Sequence, residues 1–405
     1  MTDFAVRPVT EDERRSTFDL LGRSLHSNRV GDETWTRFGS SWPAAHKFGA
    51  FDGGAPIGIA SSFTTEIAVP GGGVLALAAV DGVGVRADRT RRGVLTAMMA
   101  AQLADFAARG IPLAALHASE PTIYGRFGYG SAALGKTLRV TRPAARLHER
   151  VPVEGDVRLL TPEEAVTEIP GLYRRIGLSR AGMIGRPAAW WPIAHERLAG
   201  PDGSHVVAVH SGPDGDDGFV VYDTVDTRTL DAPDEGAVLK VRDLHAANPV
   251  AGAALWRFLL SVDLVSAVHA RHRPVDEPLA VLLTDHRHAR TLDVEDDLWL
   301  RPVDVAAALG ARTYRGAEPV VLAVRDRMLP GNTGHYEVTS DGVRRTDAAA
   351  DLALDVDTLG MLYLGQWSAT ALAQAGRIEV RDPAAPARAD ELFTTVTAPW
   401  CGTHF

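Results

Sequence analysis

The sequence predicts an α/β (α+β) fold made of more than one domain. Apolar runs typical of buried strands alternate with stretches in which apolar residues recur every three or four positions, as on one face of a helix. The chain has 405 residues, and at about 150 residues per domain this length predicts two or three domains. Hydrophobic residues make up 45% and charged residues 23% of the chain, which is ordinary globular usage and excludes a disordered or fibrous protein.

The first segment, about residues 1–150, contains strands that alternate with a long helix. The region Ala50–Ala60 is predicted to be a β-hairpin, because the Asp-Gly-Gly at its centre is typical of a tight turn. Leu75–Val85 is an apolar run broken by a single aspartate and is predicted to be a buried strand. A helix is predicted over Gly93–Arg109 and a short strand over Ile111–His117. This order of strand, loop, helix and strand favours a parallel crossover unit.

The second and third segments, about residues 151–297 and 298–405, continue the alternation. A strand at Asp156–Leu160 precedes a helix that is capped by Thr161 and carries proline at its first position. The acidic stretch 211–218 is interpreted as the loop of a hairpin rather than a calcium site, because strands flank it and the required glycine and closing glutamate are out of place. In the third segment, helices are predicted over Val303–Leu309, Asp355–Leu364 and Ala389–Thr394, strands over Val320–Arg325 and Tyr336–Ser340, and a turn over Asp382–Ala387.

Charge and cysteine content limit the classes of partner. The 42 Lys and Arg residues against 51 Asp and Glu residues give a net charge of −9, which argues against nucleic acid or an anionic membrane and is compatible with a cationic substrate. The single cysteine, Cys401, excludes an intramolecular disulfide and fits a reducing compartment. The sequence has no signal-peptide pattern and no apolar run near the ~20 residues that span a bilayer. We therefore expect a soluble cytoplasmic protein.

The stretch from Val83 to Thr96 is a candidate anion site. A strand is predicted to end at Val85, an arginine-rich loop follows, and a helix begins near Gly93. The free N–H groups and positive dipole of a helix N-terminus attract anions, and Arg91 and Arg92 stand just before it. Charge alone leaves two interpretations open, a diphosphate site and a solvated basic loop.

Two motifs resolve this choice by resemblance. Val83-Gly84-Val85, followed after a short loop by Arg91-Arg92-Gly93-Val94, resembles the acetyl-coenzyme A pyrophosphate motif of the GNAT N-acetyltransferases. The segment His117–Gly130, HASEPTIYGRFGYG, resembles the enhanced intracellular survival (Eis) family of aminoglycoside acetyltransferases within that class. The resemblance to this family extends over the whole chain, which has a similar length, three segments and an aromatic residue at its C-terminus.

The resemblance implies an architecture and a donor site. It implies a GNAT domain at 1–150 with the acetyl-CoA site, a second GNAT-like domain at 151–297 without a cofactor motif, and a sterol-carrier-protein-like domain at 298–405. It also implies a hexamer and no metal. The residues that would bind acetyl-CoA are Val83, Gly84, Val85, Arg91, Arg92, Gly93, Val94, Leu95, Thr96, Ser119 and Glu120.

The resemblance also implies two catalytic residues. Tyr124 would protonate the departing thiolate, and the terminal carboxylate of Phe405 would act as base or hold the cationic substrate. Without the family, the residues favour a packing role for Tyr124 beside Phe127 and Tyr129. A frayed terminus is usual for a chain end, although the apolar residues before Phe405 argue against fraying here. His404 is a departure, because the family pattern has an acid before the last residue.

The acceptor pocket matches the family least. Trp35 stands where the family has an aromatic wall, and Asp32 and Glu33, in the loop His26–Glu33, are the candidate cation contacts.

The sequence gives only weak indications of metal binding or of a cysteine nucleophile. Histidines 269, 272, 286 and 288 lack a cysteine or carboxylate at ligand spacing and are interpreted as a solvated basic face. Cys401 is not expected to be a nucleophile, because GNAT chemistry is direct attack of an amine on the thioester.

We therefore expect an acetyl-CoA-dependent N-acetyltransferase for amines of polycationic small molecules, with aminoglycosides, modified at more than one amine, as the foremost candidates. The alternatives are a polyamine or protein-lysine acetyltransferase and a non-catalytic acyl-CoA- or lipid-binding protein.

Overall fold

A computed structural model describes residues 4–27, 29–42, 45–152, 154–198, 205–227 and 236–405. The strands are β1 Ala5–Pro8, β2 Lys47–Asp52, β3 Ala55–Ala68, β4 Val74–Val85, β5 Leu113–Leu116, β6 Gly130–Thr141, β7 Asp156–Leu160, β8 Val206–Gly212, β9 Gly215–Val225, β10 Ala237–Ala246, β11 Val265–Pro274, β12 Ala289–Pro302, β13 Val320–Arg325, β14 Gly334–Thr339, β15 Gly342–Thr346, β16 Leu352–Asp355 and β17 Ile378–Val380.

The α-helices are α1 Arg14–Ser24, α2 Asp32–Phe38, α3 Val94–Ala108, α4 Pro121–Tyr124, α5 Pro162–Ile176, α6 Trp191–Leu198, α7 Pro249–Ser261, α8 Leu279–Leu282, α9 Val305–Ala311, α10 Val356–Tyr363, α11 Ala369–Gln374 and α12 Ala385–Phe393. Within the described ranges, none of these helices is long and apolar enough to cross a membrane.

The chain divides into two compact units. The first contains residues up to Ala133 together with Leu298–Val396 and His404–Phe405, and the second contains Leu134–Asp297 and Thr397–Thr403. The C-terminal tail thus contributes to both units. The division into three domains with the boundaries given above stays a prediction.

In the first unit, β1, β2, β3, β4, β5 and the end of β12 pair in that order. β2 and β3 form the predicted hairpin, and β4 and β5 pair in parallel with α3 as the crossover, as the sequence predicts. The apolar face of α3, with Met99, Leu103 and Phe106, is fully buried against Ala78 and Val80 of β4. The crossover helix is therefore fixed by the burial of this face, and its N-terminus is held at the end of β4.

A smaller sheet in the first unit has the strand order β15, β14, β13, β16, β17. Its last helix, α12, begins at Ala385, whereas the sequence predicted a turn over 382–387 and a helix from Ala389. The turn ends earlier because the Asp382 carboxylate accepts a hydrogen bond from the Ala384 N–H at 3.0 Å. Pro386 then fits the first turn of the helix, where its missing N–H costs no intrahelical hydrogen bond.

In the second unit the strand order is β6, β11, β10, β9, β8, β7. The predicted helix after β7 carries a capping box, with Thr161 Oγ1 accepting from the Glu164 N–H at 3.3 Å and the Glu164 carboxylate accepting from the Thr161 N–H at 2.8 Å. β8 and β9 form the predicted hairpin. The predicted loop over 211–218 is too long, because the strands pair up to Gly212 and Gly215 and leave only residues 213–214 as the turn. Asp217 therefore lies in β9, where its carboxylate is 2.6 Å from the His210 ring nitrogen Nδ1.

β10 and β11 pair in parallel with α7 between them, which repeats the arrangement of β4, α3 and β5. Beyond the end of this pairing, Trp400 of the tail packs beside His245 of β10, with ring centroids 5.0 Å apart. Its indole N–H donates to the His272 carbonyl of β11 at 2.6 Å. The tail therefore covers the end of the β10–β11 pair, which is the place in the second unit that corresponds to the end of the β4–β5 pair in the first.

Candidate active site

A cleft of about 750 Å³ opens in the first unit between the end of β4, the start of α3 and the segment after β5. Its walls come from parts of the chain that are far apart in sequence. The lining residues are Ser24, Leu25, Val83, Gly84, Val85, Arg89, Thr90, Arg91, Gly93, Val94, Leu95, Thr96, Ser119, Glu120, Ile123, Tyr124 and Arg126.

The cleft exists because β4 and β5 stop pairing. Their parallel register ends at Val80 and Leu116. β4 continues to Val85 with its other edge still paired to β3, through Ala60 opposite Val83 and Gly58 opposite Val85. The cleft edge of β4 between Val83 and Val85 therefore offers backbone donors and acceptors to a bound molecule.

The loop after β4 delivers a helix N-terminus to the cleft. Gly93 has φ 83° and is the N-terminal cap residue of α3, where no side chain caps the helix. A Cβ at this position would meet nothing within 4 Å, so the positive φ, not crowding, favours glycine here. The N–H groups of the first turn of this 15-residue helix can receive an anion.

Ten of the eleven residues predicted to bind acetyl-CoA line this cleft, and Arg92 does not. The two neighbouring arginines differ in backbone conformation, since Arg91 has φ 60°, in the left-handed region. Arg92 is exposed outside the lining set. Sequence adjacency gave both arginines the same role, whereas the turn at Arg91 presents only one of them to the cleft.

The cleft also contains residues that the sequence argument missed. Arg89, Thr90, Ile123 and Arg126 lie inside or beside the two motifs, so their neighbourhood was a usable signal. Ser24 and Leu25 come from the end of α1 and carried no such signal. The Ser24 hydroxyl donates to the Val85 carbonyl at 3.3 Å, which brings α1 against the end of β4.

Tyr124 ends the short helix α4 and is 7% exposed. Burial raises the pKa of its phenol, a hydrogen bond with the Ser119 side chain opposes the rise, and Glu120 adds to it. The ring packs in the same apolar cluster as Phe127 and Tyr129, with the Tyr129 ring 6.2 Å away. A phenol held protonated at neutral pH beside a cleft can donate a proton.

The chain end packs beside the end of β5. The Phe405 ring lies 4.7 Å from His117 and 5.8 Å from Phe63, measured between centroids. The His404 ring lies 4.8 Å from His117. Because His117 is two residues before Ser119 and directly follows β5, the last two residues are held close to the segment that lines the cleft.

The three candidate acceptor residues lie on α2. The Asp32 side chain is 93% exposed and sits 3.3 Å from an Arg15 guanidinium nitrogen, and Glu33 is also exposed. Trp35 is partly buried against Phe18, with ring centroids 5.0 Å apart. Of the loop His26–Glu33, Asn28 lies outside the described residues.

In the second unit, Cys401 is buried, and burial raises the pKa of its thiol well above the ordinary value. Its N–H donates to the Asp297 carboxylate at 2.8 Å. Over the described ranges, no group of three or more His, Cys, Asp or Glu residues is placed to hold a metal ion.

Comparison with known proteins defines the class of this chain as a GNAT acetyltransferase. The family model of the acetyltransferase (GNAT) domain matches residues 5–132, and a second model of that description matches 182–302. The sterol carrier protein domain model matches 305–402. The predicted fold class is thereby confirmed.

The particular family follows from relatives that match nearly end to end. The chain is 36% identical to N-acetyltransferase Eis of Mycobacterium tuberculosis, covering 95% of this chain and 96% of that protein. It is 37% identical to an uncharacterized N-acetyltransferase of Streptomyces avermitilis, covering 98% of each. The crystal structure of Eis1 from Mycobacterium abscessus superposes with a TM-score of 0.90 at 36% identity, covering 99% of this chain and 100% of that one. The chain belongs to the Eis family of GNAT N-acetyltransferases, whose GNAT domains use acetyl-CoA.

Proposed function

We propose that this enzyme transfers acetyl groups from acetyl-CoA to the amines of polycationic small molecules, with aminoglycosides modified at more than one position as the foremost acceptors. The proposal rests chiefly on one cleft that joins an uncapped helix N-terminus, an unpaired strand edge and the Tyr124 side chain. The net charge of −9 favours a cationic acceptor.

The donor site is assigned along the cleft. The first-turn N–H groups of α3, from Gly93 to Thr96, together with Arg91, bind the pyrophosphate in this proposal, and Arg92, outside the cleft lining, contributes its charge from further away. The backbone of Val83–Val85 bonds to the pantetheine arm and, near Val85, polarises the thioester carbonyl. Ser119 and Glu120 line the arm from the segment after β5. Acetyl-CoA supplies the activated acetyl group.

Two groups of this chain move protons. The carboxylate of Phe405 takes a proton from the acceptor ammonium, directly or through water, and leaves a neutral amine. The amine nitrogen then forms its bond to the acetyl carbon as the carbon–sulfur bond breaks. Tyr124 donates its proton to the departing thiolate and recovers one from the acylated nitrogen, so each turnover releases one proton to solvent. The raised pKa of Tyr124 supports this role, because the phenol stays protonated until the thiolate forms.

The wider organisation is proposed from the family. We assign a GNAT domain to 1–150, a second GNAT-like domain to 151–297 and a sterol-carrier-protein-like domain to 298–405, in a cytoplasmic hexamer. Asp32, Glu33 and Trp35 are retained as candidate acceptor contacts, although the exposure of Asp32 and the packing of Trp35 give them weaker support than the donor residues have.

The deciding experiment is release of free thiol from acetyl-CoA in the presence of an amine panel. Aminoglycosides, a polyamine such as spermidine and a lysine-containing peptide should be compared at equal amine concentration, with mass spectrometry to count the acetyl groups added. Multiple acetylation of aminoglycosides is the expected result. Preference for spermidine or the peptide would replace the proposed acceptor, and acetyl-CoA binding without transfer to any amine would favour a non-catalytic acyl-CoA-binding protein.

A further inference from the structure

The second unit holds the C-terminal tail at the end of the β10–β11 pair. The parallel pairing of these strands ends at Val241 and Ala270. Beyond it, the Trp400 backbone N–H donates to the Ala181 carbonyl at 2.9 Å, and the indole N–H donates to the His272 carbonyl at 2.6 Å. Trp400 is 6% exposed. It is therefore a buried anchor of the tail, fixed through both its backbone and its side chain.

The tail turns back immediately after Trp400. Gly402 has φ 65°, and a Cβ at this position would collide with the Trp400 ring. Between them, Cys401 is fully buried, and its N–H donates to the Asp297 carboxylate at 2.8 Å. The Cys401 thiol donates to the Thr403 carbonyl at 3.2 Å. The turn packs onto its own indole ring and leads Thr403 into the interior of the second unit.

A buried guanidinium holds Thr403. The Arg186 side chain is 2% exposed, and it donates to both carboxylate oxygens of Asp243 in β10, at 2.6 and 3.2 Å. Its remaining nitrogen, Nε, donates to Thr403 Oγ1 at 3.0 Å. The Tyr173 hydroxyl donates to the Ile184 carbonyl at 2.7 Å and therefore accepts from the Thr403 hydroxyl at 3.0 Å. Without the tail, the Nε of a buried arginine would lose this acceptor, which is unfavourable.

Only two residues follow Thr403. They group with the first unit, where the Phe405 ring lies 4.7 Å from the ring of His117. Two residues extend the chain by at most about 7 Å, so the position of Thr403 limits where the terminal carboxylate can lie.

We propose that the second unit positions the catalytic carboxylate of Phe405, because Arg186 and Tyr173 fix the tail through the Thr403 hydroxyl. Arg186 and Thr403 are positioning residues, since neither is assigned a contact with acetyl-CoA or with the amine. The inference rests on the proposed function, which takes this carboxylate as the base. It gives the second GNAT-like segment, which has no cofactor motif, a part in the reaction.

The test replaces Thr403 by valine, which keeps the branched shape and removes the hydroxyl. With kanamycin A as acceptor, or spermidine if the enzyme prefers it, Thr403→Val should lower kcat by ~10–100-fold, because a displacement of about 1 Å can cost this much. The KM for acetyl-CoA should stay nearly unchanged. Thr403→Ser retains the hydroxyl and should keep most of the wild-type kcat. The control is Thr17→Val, which removes a fully buried hydroxyl that bonds to carbonyls of its own helix region and should lower stability but not kcat.

A cycle with the C-terminal tag separates positioning from stability. In the tagged enzyme the terminal carboxylate is already an amide, so Thr403→Val should cause no further loss of kcat. The decrease in melting temperature caused by Thr403→Val should instead be the same with and without the tag. An equal loss of kcat in both backgrounds would make Thr403 a structural residue and overturn the proposal.

Trimming by carboxypeptidase Y, followed by intact mass spectrometry, tests the anchorage without measuring activity. Phe405 should be released faster from Thr403→Val than from the wild type, and at the wild-type rate from Thr17→Val. Unchanged trimming of Thr403→Val, or faster trimming with an unchanged kcat, would overturn the proposal. If Thr403→Val does not fold, Trp400→Phe removes the bond to the His272 carbonyl and is judged by the same measurements.

The tag alone separates this inference from the proposed function. Full activity of the tagged wild type would refute the base assignment, whereas trimming would still show whether Thr403 holds the tail. Activity that is lost with the tag but kept in Thr403→Val would leave the base assignment standing and refute the positioning role.

Discussion

Replacement of Tyr124 by phenylalanine isolates one hydroxyl of the proposed active site. The ring is 7% exposed and packs in the cluster of Phe127 and Tyr129, so phenylalanine keeps the apolar contacts. The variant loses the hydrogen bond with the Ser119 side chain, which is worth about 0.5–1.5 kcal/mol of folding free energy. Loss of a general acid should instead lower kcat by ~10²–10⁴-fold, or about 2.7–5.4 kcal/mol of activation free energy.

The assay is thiol release from acetyl-CoA with a saturating amine, together with the acetyl-CoA dissociation constant from calorimetry. The dissociation constant should stay within a few-fold, because the hydroxyl acts on the leaving group. Burial raises the pKa of Tyr124, so the wild-type kcat should show no loss of this acid as the pH rises through the neutral range.

Tyr129→Phe is the matched control. Its ring is fully buried in the same cluster, and its hydroxyl has no hydrogen-bond partner within the part of the chain described. Removing that hydroxyl should leave kcat unchanged and stability equal or slightly higher. A near-normal kcat for Tyr124→Phe, or equal losses in both variants, would refute the acid assignment and return Tyr124 to a packing role.

The remaining predictions concern the donor site, the chain end and the core. Arg91→Ala should weaken acetyl-CoA binding by ~10–100-fold in calorimetry, and Arg92→Ala by less, because only Arg91 lines the cleft; equal effects would contradict the geometry. A C-terminal tag, which converts the Phe405 carboxylate to an amide, should reduce acetyl transfer at least ~10²-fold relative to an N-terminal tag with acetyl-CoA binding kept, and equal activity would make the terminus a bystander. Asp326→Ala should cost about 3–5 kcal/mol in urea unfolding, since Arg301 is fully buried and donates to both carboxylate oxygens at 2.9 Å; a loss below 1 kcal/mol would show that Arg301 finds another partner.

The sequence by itself determined the elements that depend on local signals. The helix after β4, its glycine at the N-terminus and the parallel crossover follow from apolar periodicity and from the backbone freedom of Gly93. The capping box at Thr161 and the hairpin around 211–218 are local in the same sense. The motif residues that line the cleft could also be predicted from the sequence, because a pyrophosphate-binding loop is one continuous stretch of chain.

The tertiary structure decided what depends on residues far apart in sequence or on the exact path of the backbone. The left-handed turn at Arg91 separates two adjacent arginines that charge alone made equivalent. A β-bulge in β4 and the register of Lys47 with Ser61 put Asp81 among polar side chains, although the sequence showed it only as one acid within an apolar run. Phe405 packs against Phe63 and His117, which lie hundreds of residues earlier in the sequence. Local patterns specify backbone conformation, whereas such contacts arise only when distant strands pair and bury their faces together, so no local pattern encodes them.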